Sequence, residues 1–156
     1  MIKDSVQEFY KSLKENRPIL GVDYGLKKVG FAITDPMQKM SMPLEVKVFA
    51  KEDIKTTYIM ELIGKYDICG IIVGLPLNMD GTESDQSKKV RIFASKLGEA
   101  ASLPVYMQDE RLSSFAAQSL LKSMGMKRKA RDNMDDQISA SLILENAIDA
   151  IARLSC

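Results

Sequence analysis

Three apolar runs rich in β-branched residues follow one another closely near the start of the chain, at 19–23, 29–34 and 44–49, separated only by the turn-like "YGLKK" and "DPMQKMSMP". Strands this close in sequence pair most simply as an antiparallel meander. The rhythm then changes. Ile54, Tyr58 and Leu62 mark a helix, "ICGIIVGLP" reads as a buried strand, and Val90, Phe93, Ala94 and Leu97 mark a second helix after Thr82. A βαβ crossover is implied. "LPVYMQ" supplies a fifth strand, followed by a helix capped by Ser113 and ending at Gly125, then by a long, largely apolar helix through "ISASLILENAIDAIARL". The expected fold class is α/β, a mixed five-stranded sheet flanked by helices.

Before the first of these strands, Val6, Phe9, Tyr10 and Leu13 recur at helical spacing ahead of Pro18, so residues 1–17 read as an N-terminal helical extension. Residues 18–156 then form a single domain, since 156 residues with 46% hydrophobic content close one sizeable core and not two. Neither repeats nor low-complexity linkers interrupt it.

Composition excludes several chemistries. The chain has no histidine, which removes Ser-His-Asp and Cys-His nucleophile systems and every histidine-ligated metal site. Carboxylates and lysines remain. Cys69, in an apolar run, and Cys156, at the last position, lack the spacing of a disulfide framework or a zinc site and suit a reducing cytoplasm. The opening residues are charged and no apolar stretch approaches the roughly 20 residues that cross a bilayer, so a cytoplasmic protein without membrane contact is expected. With 22 Lys+Arg against 21 Asp+Glu, the net charge of +1 creates no global field, and a nucleic-acid partner would have to be met by local charge.

Alternation places Leu20 and Val22 on one face of the first strand and Ile19, Gly21 and Asp23 on the other, with Asp23 at its carboxyl end. In "YMQDERLSS", Glu110 falls just past the last strand, again at a carboxyl edge. Taken singly, each has an ordinary role. Asp23-Tyr24-Gly25 suits a hairpin turn, and Asp109 and Glu110 suit the positive end of a helix, with Arg111 as an ion-pair partner or a phosphate contact. In the final helix Asp136, Ala140, Ile143 and Ala147 share one stripe, which predicts that Asp136 faces the sheet while Asp135, about 100° away, does not. Capping alone also explains acids at that helix start.

The loop "GLPLNMDGTE", with Asn78, precedes a helix N-terminus and offers either an ordinary βα connection or backbone N–H groups for a phosphate. Lys122, Lys127, Arg128, Lys129 and Arg131 crowd one helix-to-helix connection, either as a solvated run or as contacts to backbone phosphates.

Taken together and in order, "GVDYGLKKVGFAITD", "VGLPLNMDGTE", "DERLSS" and "DDQISASLILE" resemble the YqgF family, also called RuvX, of Holliday-junction-resolvase-like nucleases. The resemblance runs from Ile19 almost to the C-terminus. It implies a ribonuclease-H-like fold, a cytoplasmic nuclease acting in 5′-end maturation of pre-16S ribosomal RNA, and, in an older reading, a resolvase of branched DNA. The family's catalytic and metal-binding acids fall on Asp23, Glu110 and Asp136, the same acids that the strand ends and the helix stripe single out. Phosphate contacts are implied near Lys27 and Lys28, although Leu26 and Lys28 stand where the family commonly has Thr and Arg.

Three carboxylates at one sheet edge repel unless cations lie among them. All-oxygen ligation selects Mg²⁺ or Mn²⁺, and two ions about 3.5–4 Å apart can activate water and steady the leaving oxygen of a phosphodiester.

Two other readings use the same residues. Asp23-Tyr24-Gly25 with Gly30 also resembles the first phosphate loop of actin-like ATPases and sugar kinases, but those carry two related domains and "DYG" is not repeated here. A non-catalytic RNA-binding factor of ribosome assembly would keep the acids as a vestige. The expected partners are precursor rRNA and branched DNA, met by a monomer or weak homodimer.

Overall fold

A computed structural model of the chain describes residues 2–13, 17–111, 125 and 128–154, with side chains of the last segment described from Ile138 onward. The elements run β1 (Ile2–Lys3), α1 (Val6–Lys11), β2 (Ile19–Tyr24), β3 (Lys28–Thr34), β4 (Ser41–Val48), α2 (Asp53–Tyr66), β5 (Gly70–Leu75), α3 (Asp85–Ala101), β6 (Val105–Asp109) and, after the connection, α4 (Arg128–Leu154). The sheet order is β1-β6-β5-β2-β3-β4. β2, β3 and β4 form the expected antiparallel meander, and β5 and β6 join β2 in parallel.

The sheet has six strands where the sequence predicts five. Ile2 and Lys3 pair in parallel with Val105 and Tyr106, an addition too short to carry any period. Ser5 then caps α1 by accepting from the Glu8 N–H at 3.1 Å, and Phe9 is fully buried against the sheet. β4 also starts earlier than the sequence implies, at Ser41, and contains Pro43. An edge strand tolerates a residue without an N–H, and the register shifts between Phe31 and Ala32, opposite Pro43. The predicted helix from Ser113 to Gly125 lies outside the described residues, apart from Gly125 itself.

Strand alternation divides the core into two layers. Leu20, Val22 and Tyr24 of β2 join Ile71 and Val73 of β5 under α2 and α3, and Ile19 and Ile72 face α4 with Ala140, Ile143, Leu144 and Ala147. The faces expected for β2 are thus the faces observed.

On the α4 side the strands carry small residues. A Cβ built on Gly21 would lie 3.0 Å from the Leu144 Cβ and 3.2 Å from the Ala140 carbonyl oxygen, so α4 packs directly on the β2 backbone through Leu144 and its own carbonyl. Ala32, opposite Gly21 on β3, is small as well. α4 reaches β4 too, where the Ser41 hydroxyl donates to the Ser141 carbonyl at 2.8 Å. The approach at Gly21 sets how closely the last helix comes to the strand that carries Asp23.

Gly21→Val should lower stability by about 1–3 kcal/mol, because the added methyls meet a helix backbone that cannot rotate away. Gly64→Ala, at an exposed position of α2 with nothing within 4 Å of the new Cβ, should instead raise it by up to about 1 kcal/mol. Urea unfolding midpoints of the two variants check both signs.

Candidate active site

Asp23 is the fifth residue of β2, on the α4 face, opposite Gly30 of β3. Glu110 follows β6 directly, and its N–H donates to the Leu75 carbonyl at 3.2 Å, so the ladder between β5 and β6 continues to the residue itself. Its side chain turns back over β5. A Cβ on Gly74 would collide with Glu110 Oε2 and, at 2.5 Å, with Ile143 Cδ1. Glycine at 74 therefore leaves the space in which the carboxyl group sits, between a strand and α4.

Two of the three predicted acids are brought into contact. Burial, the charge of Asp23, a hydrogen bond with Asp23 and the charge of Asp109 together push the Glu110 carboxyl up to about 8. Near neutrality, then, Glu110 favours its protonated form and donates to the Asp23 carboxylate. Asp109 behaves oppositely. Arg111 grips it with its Nε at 2.8 Å and its Nη2 at 2.6 Å, and the Arg111 backbone N–H adds a bond at 3.0 Å, which holds Asp109 below its usual range. Neighbouring carboxylates at the end of one strand thus carry opposite shifts, one lowered by a cation and one raised by burial beside another acid.

Asp136 lies in α4, one turn before the buried Ala140, and its side chain and that of Asp135 lie outside the described residues. Among the described residues no group of three His, Cys, Asp or Glu is placed to hold a metal ion. Asp23 and Glu110 are the two described members of the predicted set.

The predicted phosphate contacts separate. Lys28 is exposed and lines a cleft of about 180 Å³ with Asp23, Gly25, Gly30 and Val46. Lys27 is exposed in the turn, its carbonyl accepting from Phe49 N–H at 2.8 Å. Asn78 is turned into its own loop, its amide donating to Thr82 Oγ1 at 2.9 Å, and Arg111 donates to the Met79 carbonyl at 3.1 Å besides holding Asp109. These two residues brace the loop after β5. Lys122 and Lys127 lie outside the described residues. Arg128, Lys129 and Arg131 form the first turns of α4, with side chains outside the described set.

Sequence reading missed Gly74, and it missed Lys55. The inward residues of α2 are Lys55, Ile59 and Leu62, whereas Ile54 is 45% exposed. A lysine four residues before one buried aliphatic and seven before another was the available signal, hidden because it carries a charge.

This mixed sheet, with a carboxylate pair at the carboxyl ends of its strands and a long helix crossing behind them, is a ribonuclease-H-like fold. Fold alone is shared with two solved resolvases. Thermus thermophilus RuvC matches with a TM-score of 0.52 at 13% identity over 88% of this chain and 96% of that one. The fowlpox virus Holliday junction resolvase matches with a TM-score of 0.51 at 14% identity over 85% and 99%. The class that the fold defines is ribonuclease-H-like, and the family and the named relatives make it a nuclease.

The chain belongs to the RuvX family, whose model, described as Holliday junction resolvase, matches residues 17–150. Full-length relatives agree. Proteins of Rickettsia peacockii and Rickettsia africae, each bearing the name "Putative pre-16S rRNA nuclease", are 43% identical over 154 residues, which is 99% of this chain and 100% of theirs.

The raised carboxyl predicts how the metal-free protein responds to pH. Between the ordinary glutamate value of 4.5 and about 8, native Glu110 holds a proton that the unfolded chain has released. Its contribution to stability is therefore complete below that window and is lost as pH rises through it. In EDTA, wild type should lose melting temperature relative to Glu110→Gln between pH 5 and about 8, and a constant difference between the two would refute the assignment.

Proposed function

We propose that the protein is a divalent-metal-dependent nuclease that hydrolyses phosphodiester bonds in the 5′-end maturation of pre-16S ribosomal RNA. The contact between Asp23 and Glu110 carries this reading. Two acids held together at the carboxyl edge, one inclined to keep its proton because of burial and of the other acid, ionise together readily only when a cation joins them. The donor set suits a hard ion, because all three candidate ligands, Asp23, Glu110 and Asp136, offer carboxylate oxygens and the chain has no histidine.

Mg²⁺ or Mn²⁺ ions, in a pair, would supply activation of water and charge stabilisation at the leaving oxygen of the phosphodiester. The chain's own residues do the rest. β2 fixes Asp23, the continued ladder fixes Glu110, and Gly74 and Ile143 limit where the Glu110 carboxyl can swing. Lys28, at the mouth of the cleft beside Asp23, is suited to a substrate phosphate, and the basic segment containing Lys122, Lys127, Arg128, Lys129 and Arg131 to phosphates along the strand.

The name carried by the Rickettsia relatives supports the ribosomal RNA substrate. The description of the family model supports a second reading, resolution of branched DNA. Purified protein with Mn²⁺ should cut a precursor 16S rRNA end in preference to a four-way DNA junction and should cut neither after chelation and dialysis. Preference for the junction would exchange the two readings, and full cleavage without metal would remove both.

The acid pair in the last helix offers a sharper separation. Position 136 shares its stripe with Ala140, Ile143 and Ala147, which are buried against the sheet, while position 135 is rotated about 100° from it. Asp136→Asn should lower the single-turnover rate at saturating Mn²⁺ by orders of magnitude with little change in substrate affinity, and Asp135→Asn should keep most of it. Equal defects would overturn this helical register.

A further inference from the structure

Behind the strand that carries Asp23, on the face away from α4, lies a lysine with no exposed surface. Lys55, in the first turn of α2, donates from Nζ to the Gly25 carbonyl at 3.0 Å, the Leu26 carbonyl at 2.7 Å and Glu52 Oε2 at 2.6 Å. Its three N–H groups are all used. The ammonium also sits 4.5 Å from the ring centre of Tyr24, whose hydroxyl donates to Glu52 Oε1 at 2.6 Å and whose ring packs on Phe93 at 4.4 Å.

One charged pair at the start of α2 thus grips three consecutive residues, Tyr24, Gly25 and Leu26, immediately after Asp23. For folding alone this is a poor choice. A buried ammonium must recover a large desolvation cost, and apolar residues of similar volume commonly do as well or better. What it does provide is a fixed turn. Gly25 is packed so tightly that a Cβ there would stand 2.5 Å from the Lys28 carbonyl oxygen, and the Lys27 carbonyl is held by Phe49.

Two acids that must both ionise to hold a cation repel each other in that form and separate unless the backbones carrying them are held, and β2 is held from behind at this turn. We propose that Lys55, with Glu52, is a positioning residue that holds the end of β2 so that Asp23 stays within reach of Glu110 to form the divalent-cation site. The inference rests on the metal-dependent reading above and goes beyond it by assigning a function to residues on the opposite face of the sheet. Ligand sites depend on such supporting contacts because the energy of ion binding is otherwise spent on ordering the ligands.

The test measures Mn²⁺ binding to the full chain by electron paramagnetic resonance of the free ion, with single-turnover cleavage in parallel. Lys55→Met should weaken Mn²⁺ binding by about tenfold or more and raise the Mn²⁺ concentration for half-maximal cleavage to match, with metal-free RNA affinity unchanged. Glu52→Gln, which keeps the lysine and weakens its anchor, should give a smaller shift of the same sign. Ile59→Val, buried on the same helix, should lower the melting temperature without moving Mn²⁺ affinity.

Wild-type Mn²⁺ affinity in both Lys55→Met and Glu52→Gln overturns the proposal and leaves the nuclease reading intact. Should Lys55→Met not fold, Glu52→Gln decides alone, unchanged binding counting against. A shift in Ile59→Val as large as in the folded variants also overturns it, since general softening would then explain the effect. Failure of wild type to bind Mn²⁺ removes the metal-dependent reading and this inference with it.

Discussion

At Gly21 the backbone of β2 receives α4 directly, through Leu144 and the Ala140 carbonyl, and the geometry of the carboxylate pair follows from that approach. A larger residue at Gly21 would lift the helix and carry Ile143 away from Gly74, opening the slot in which Glu110 lies. Small residues on both partners make the approach possible, with Ala32 beside Gly21 and Ala140 and Ala147 on the helix. The aliphatic residues between them, Ile143 and Leu144, then fill the remaining space at interior density. Packing and electrostatics are one problem here, because the apolar helix that anchors the fold also forms the wall that desolvates an acid.

That desolvation has to be contained. Glu110 sits beside Asp109, yet the two side chains live in different fields. Arg111 neutralises Asp109 and ties the end of β6 to the loop after β5, while Glu110 faces Asp23 with burial adding to its preference for a proton. A second cation on the far side of the sheet serves the backbone of the turn after β2. Two fixed positive charges, Arg111 and Lys55, thus serve the neighbours of the acid pair, the one at Asp109 and the other at the turn after β2.

Much of this was legible in the sequence, for physical reasons that differ by element. Period-two alternation identified the faces of β2 correctly, because successive residues of a strand point to opposite sides whether or not both sides are apolar, as they are here. The positions of Asp23 and Glu110 followed from where apolar runs stop. β1 was illegible, since two residues at an edge have no period and owe their pairing to Val105 and Tyr106, a hundred residues on. The beginning of β4 was hidden by Pro43, which argues against a central strand but not against an edge. Polarity misled on α2, where Ile54 is turned outward and Lys55 inward, because the lysine's partners are carbonyls of another segment that no local pattern displays. Gly74 looked like one more glycine before a loop. Its meaning depends on Glu110 and Ile143, residues that only the folded chain brings together.

The two ends of the sheet are unlike, and both are short of usable backbone. β1 covers the β6 side with only two residues, and β4 on the other side carries Pro43, a break in register and the charged Glu45 and Lys47. A row of open N–H and C=O groups is what lets another chain add a strand, and short edges, prolines, bulges and charges each interrupt such a row. A protein whose middle strands are this apolar would otherwise be a template for aggregation during synthesis, when partly folded copies meet. Ile2 and Lys3 thus do more than extend the sheet, because they occupy the backbone groups of β6 at Val105 and Tyr106 that would otherwise face outward.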